Sequence, residues 1–136
     1  MTRAAHMFPL MVLCLGLLSG TAANAVPSRS QERVEVFATC SGRLAALATR
    51  QRAWDDPDAA ENERLRDLFD LMVDTILPDA LRDGTAETQP RQWRTNGWSE
   101  MAVLLAEADY ALDQRRVDRA HRLLEQRLRI CRALVL

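Results

Sequence analysis

Lysine does not occur in this chain of 136 residues; its 18 basic side chains are all arginines. The 19 acids bring the formal net charge to −1. The basic excess of a nucleic-acid-binding domain is therefore missing, and the arginine usage is assigned to genome base composition rather than to phosphate recognition. Glycine and proline are scarce, at five each, which excludes a collagen-like or linker-rich chain. Histidine is nearly absent beyond the N-terminal segment, where only His121 is found. Asp118 and Glu125 flank it at i−3 and i+4, but a four-coordinate metal site needs further ligands, and no Cys/His cluster supplies them. Glu-x-x-His pairs, C-x-x-C, G-x-S-x-G, the P-loop and the dinucleotide glycine pattern are all missing. Asp55, Asp56 and Asp58 lack the loop spacing of a calcium hand. Ser41 has no local base. No catalytic residue, metal or cofactor is expected, and Arg43 and His121 are the weak candidates left to an enzyme reading.

What is present begins with an address. Arg3 precedes an apolar run, Met7 to Leu18, which is shorter than the ~20 residues of a membrane span. Ala23-Asn24-Ala25 offers a small-x-small cleavage pattern. Residues 1–25 are read as a signal peptide cleaved after Ala25, with cleavage after Ala23 or an uncleaved anchor as alternatives. Small residues do not directly precede Cys14, which argues against acylation there. The expected compartment is the periplasm, and membrane contact after cleavage is not expected. Cys14 leaves with the leader. Cys40 and Cys131 remain, and in an oxidising compartment two cysteines have one intramolecular pairing. Two separate thiols are the alternative. A bond would close a loop of about 90 residues, for which chain entropy gives roughly 4–5 kcal/mol.

Residues 26–136 read as one helical domain. Ser28 and Ser30 are N-cap candidates. Phe37, Cys40, Leu44, Leu47, Gln51 and Trp54 step by three and four, which predicts a helix over about 30–53. Gly42 beside that stripe costs about 1 kcal/mol relative to Ala and would let another helix come close. Asp55-Asp56-Pro57-Asp58 reads as the start of a second helix, about 58–77. Its apolar face is Leu65, Leu68, Phe69, Met72 and Ile76, widened by Leu71 and Val73. Pro78 is expected to stop it at Leu77, because the residue before a proline avoids the helical region. Asp83-Gly84 signals a turn. A third helix, about 90–112, is expected to run unbroken through Gly97; the rival is a break at Asn96-Gly97. The fourth, about 115–134, has Val117, Ala120, Leu124, Leu128, Cys131 and Val135 on one stripe.

Four helices with short connections predict an all-α, antiparallel up-down-up-down bundle, its first and last helices joined by the disulfide. Residues 55–87 are acid-rich and the last helix is arginine-rich, so these two elements are expected to face or adjoin one another, leaving a solvated or self-neutralised face rather than a lipid-binding one. Trp93 and Trp98 are five residues apart and point to different sides of a helix, so at least one is expected at the surface. Trp93, Arg94 and Trp98 form the candidate binding surface.

Leu105 to Leu124 resembles one tetratricopeptide helix pair, but stacking needs about three such units. With Phe37-Ala38-Thr39-Cys40-Ser41-Gly42-Arg43-Leu44 near its start and Cys131 near its end, the chain resembles small exported helical proteins of alphaproteobacteria that have no assigned activity. The resemblance implies a periplasmic bundle with a first-to-last disulfide and transfers no catalytic residue. The functional expectation is a non-enzymatic interaction or accessory protein for a protein partner. The alternative is a small-ligand binder with a pocket near Trp93, Arg94 and Trp98.

Overall fold

A computed structural model describes residues 29–135. The leader, its cleavage point and Ser28 lie outside the described residues. Four helices follow in order: α1 Ser30–Ala53, α2 Ala59–Arg82, α3 Gln89–Tyr110 and α4 Gln114–Arg132. Cross-helix contacts give their directions. Ser30 at the start of α1 donates to Asp83 just past the end of α2, and Asn62 near the start of α2 donates to Gln51 near the end of α1. α3 runs parallel to α1, since Arg94 meets Ser41, Glu100 meets Arg43 and Asp109 meets Arg50. α4 returns along α3, with Arg127 on Glu100 and Arg116 on Glu107. The fold is the expected all-α up-down-up-down bundle. The Cys40–Cys131 disulfide, across a sequence separation of 91, joins first helix to last.

The helix ends correct several sequence expectations. Arg29, not a serine, occupies the N-cap of α1, and its side chain makes no cap bond. Ser30 is the first helical residue instead. Asp55 does not begin α2; it ends α1. Its φ of +53° is left-handed, a conformation that Asp tolerates better than most residues. The amides of Asp55 and Asp56 bond back to the carbonyls of Arg52 and Gln51, the two bonds of a Schellman ending. α2 begins after Asp58, whose amide is held by the Asp56 carboxylate at 2.9 Å. It does not stop at Leu77. Pro78 lies inside it and the helix continues to Arg82. Pro78 is exposed, while Ala80, two residues on, is completely buried in the core with Val34 and Trp93. Burial of that last turn offsets the lost backbone donor of the proline. Gly84, at φ +97°, then supplies a second left-handed ending. α3 is unbroken through Gly97 but ends at Tyr110, because Ala111 is extended and Asp113 caps α4 by accepting from the Arg115 amide.

α1 is the central element. It packs along its length on α2 and on α3, while α4 lies mainly against α3. The parallel pair α1 and α3, diagonal in a square bundle, is in direct contact at two glycines. A Cβ on Gly42 would stand 2.0 Å from the Arg94 carbonyl oxygen, and one on Gly97 would stand 2.2 Å from that of Thr39. Backbone meets backbone, so only glycine fits at either position. Enclosed in this way, α1 buries Val34, Phe37, Ala38, Cys40, Ser41, Leu44, Ala46, Leu47 and Ala48, well beyond a single stripe. Phe37 and Phe69 pack with ring centroids 5.9 Å apart. Ala46, Leu47, Met101, Leu105 and Leu124 make a second cluster among α1, α3 and α4. Two residues expected on the buried face of α2, Leu68 and Leu71, point outward instead.

Gly42→Ala and Gly97→Ala are each expected to destabilise the fold. The gain in helix propensity is about 1 kcal/mol. The clash is with main chain that cannot rotate away, and overpacking of this kind costs about 1–3 kcal/mol or more. Thermal melts should show a drop of several degrees for each variant. A melting temperature that rises by what helix propensity alone predicts would mean that α1 and α3 do not touch there.

Candidate functional site

Six aromatic side chains fall among the described residues. Phe37, Phe69 and Trp93 are in the core. The other three, Trp54, Trp98 and Tyr110, are exposed by 57%, 44% and 73%, and all three line the same groove. That groove has a volume of about 280 Å³ between α1 and α3. Its bed consists of short side chains: Ala46, Thr49 and Ala53 from α1, Ala102 and Ala106 from α3. Trp98, Ala102 and Ala106 follow one another at i+4 spacing on one face of α3. Trp54 is the C-cap residue of α1. The Arg50 guanidinium lies 4.5 Å from the Trp54 ring centre, within range of a cation–π contact. Arg50 is fixed in turn by Asp109, at 3.0 and 2.5 Å. The hydrogen bond to Asp109 outweighs burial and raises the guanidinium above its ordinary value, so the cation over Trp54 is permanent.

A second hollow of about 250 Å³, lined by Gly42, Ala45, Arg94, Thr95 and Trp98, meets the first at Trp98. From Arg94 to Tyr110 the two follow α3 for roughly 24 Å at helical rise. Apart from Arg50 and the C-cap Trp54, their residues on α1 are small, in keeping with the close approach of α3 at Gly42.

The three residues singled out from sequence separate. Arg94 and Trp98 share the second hollow. Trp93 is turned away, 9% exposed, and packs in the core cluster. Trp54 and Tyr110 belong to the site and are not among the residues singled out from sequence: Tyr110 closes the same helix as Trp98, whereas Trp54 is at the end of α1, and helical periodicity says nothing of which end of α1 lies beside which end of α3. Arg94 is also structural. It donates to Asp70 at 2.5 Å and to Ser41 at 3.2 Å, and Ser41 donates to Asp70 at 2.6 Å. Ser41 is thereby a tie among three helices.

Arg43 is held too. It places Nε and Nη2 on Glu100 at 2.9 and 2.7 Å, with Nη1 at 4.0 Å from Cys131 Sγ. Arg127 takes the other oxygen of Glu100. One carboxylate therefore clamps α1, α3 and α4. His121 is exposed on α4. Among the described residues no group of three His, Cys, Asp or Glu is placed to hold a metal ion, and no helix is long and apolar enough to cross a membrane. No family model matches the chain, and no curated protein or solved structure matches it either.

The Glu100 clamp predicts an acid sensitivity. Burial pushes its carboxyl up, but hydrogen bonds from Arg127 and Arg43 outweigh that and hold it below the ordinary carboxylate range. A depressed folded-state value adds stability above the unfolded-state pKa, and that stability is lost as pH falls through the folded-state value. Glu100→Gln should lower stability at neutral pH. It should also flatten the loss of stability below about pH 4.5, read by denaturant titrations across pH. Parallel curves for the variant and the wild type would show that Glu100 carries none of the dependence.

Proposed function

We propose that this chain is an exported, non-enzymatic helical bundle that acts as an interaction or accessory protein, binding a helical segment of a protein partner along the α1–α3 groove. The observation that carries this reading is the convergence of Trp54, Trp98 and Tyr110 on one groove. Removing three aromatic surfaces from water is the largest binding free energy this surface offers, and such residues dominate alanine scans of interfaces. The shape favours a helix. A bed of Ala and Thr side chains between aromatic walls admits the ridge of an amphipathic helix, with contacts at i, i+3, i+4 and i+7. About 24 Å of groove corresponds to roughly sixteen helical residues.

Export to the periplasm rests on the leader pattern of residues 1–25 and is supported by the buried disulfide, which suits an oxidising compartment. The likeness to small exported alphaproteobacterial helical proteins points the same way. The small-ligand reading has one observation behind it, the shared hollow of Arg94 and Trp98. At about 250 Å³ and open to solvent, it is below the range of most ligand pockets, so the protein-partner reading is preferred.

The test is a comparison between wild type and a Trp54→Ala/Trp98→Ala double variant, each immobilised and exposed to periplasmic extract. One protein should be enriched by the wild type and depleted at least tenfold by the variant. Its binding should shift the tryptophan emission of the wild type to the blue, as exposed indoles are covered. The same proteins recovered equally by both forms would rule the groove out as the binding surface.

A further inference from the structure

Charge in this chain is divided by element. Residues 55–87 hold eleven acids against three arginines, a balance of −8, and α4 holds seven arginines against two acids, a balance of +5. Of the two alternatives read from the sequence, a solvated or a self-neutralised face, the structure has the solvated one: among the described residues no ion pair joins α2 to α4, and Arg132 reaches α2 through a hydrogen bond to Asn62. α4 gives Arg116 and Arg127 to acids of α3. Arg115, Arg119, Arg122 and Arg129 remain exposed and take part in no ion pair among the described residues. Steps of four, three and seven put them on one line along α4.

The outer face of α2 has the opposite character. Asp67, Leu71 and Asp74 lie one above another, and Leu71 is 62% exposed. Among the described residues Asp74 takes part in no ion pair, and Asp67 meets only its neighbour Arg66 at the surface, a pair worth little in water. The spacings agree. Asp67 and Asp74 are seven residues apart, as are Arg115, Arg122 and Arg129, so both faces repeat charge every ~10 Å. Helices that pair side by side set ion pairs at this seven-residue period.

We propose that the arginine line of α4 docks on the acidic face of α2 in a second copy of this chain, with Arg122 and Arg129 opposite Asp74 and Asp67. Leu71 lies between those acids, where arginine stems cover it. A second copy uses both faces at once; an anionic membrane or an acidic partner would use the arginines and leave Asp67, Leu71 and Asp74 unanswered. The net charge, −1 for the full chain and −2 once Arg3 leaves with the leader, leaves little overall repulsion between copies. The α1–α3 groove contributes no residue to it, so this inference stands apart from the groove reading.

The test is sedimentation equilibrium of the purified, disulfide-bonded protein at about 0.05 M and 0.5 M salt. Association should appear at low salt and weaken at least tenfold at high salt. Arg122→Glu/Arg129→Glu and Asp67→Arg/Asp74→Arg should each be monomeric at low salt with unchanged melting temperature, since every site is exposed. Mixing the two variants should restore association, because each then meets its charge opposite. A wild type that stays monomeric at low salt overturns the proposal, as does association that survives the Arg→Glu changes or a mixture that does not associate. So does a monomer that binds phosphatidylglycerol vesicles through the same arginines.

Discussion

The contact between the main chains of α1 and α3 is the constraint on which the other features depend. At Gly42 and Gly97 the two helices approach until a methyl group would overlap a carbonyl oxygen. That approach gives α1 neighbours on several sides and requires small residues around it. It explains why Ala38, Ser41, Ala46 and Ala48 are buried beside the larger Phe37, Leu44 and Leu47. It also sets the depth of the groove. Where α1 carries Ala46, Thr49 and Ala53 it cannot fill the space between itself and the flank of α3, and the aromatic side chains of Trp54, Trp98 and Tyr110 stand around the gap.

Polar ties hold the remaining helices in register with this pair. Glu100 fastens α4 and α1 to α3; Asp70 on α2 takes Ser41 and Arg94 from the two central helices. Gln51 and Asn62, both almost fully buried, satisfy one another across the α1–α2 corner. Burying polar groups is costly unless each finds a partner, and each of these does. The ties are directional, whereas apolar packing alone would allow a helix to rotate about its axis. Rotation of α3 by a fraction of a turn would hide Trp98 and bring Trp93 out.

Much of this architecture is legible in the sequence, because periodicity reports which face of a helix is apolar. Four helices, the continuous α3 and the Cys40–Cys131 pair all follow from spacing and elimination. Gln51, an odd polar member of an apolar stripe, is explained only once Asn62 is seen beside it. Pro78 shows local preference yielding to tertiary burial of Ala80. Asp55 shows one residue serving the helix before it rather than the one after. The charge pattern left a solvated and a self-neutralised face both open for a similar reason: composition says which elements carry opposite charge and does not say which of those charges pair. The site itself was half legible. Arg94 and Trp98 share a helix face and could be grouped, but Trp54 reaches them only through the parallel packing of α1 on α3.

The disulfide makes the chain a covalent ring that encloses everything between Cys40 and Cys131. The turn at Gly84 divides that ring into a half containing α1 and α2 and a half containing α3 and α4. A protease that nicks the backbone at this turn would therefore release nothing. Both halves would stay fastened to one another, their interhelical packing already in place, and the cut protein would gain only the water of hydrolysis and keep its groove until a reductant parted the two pieces.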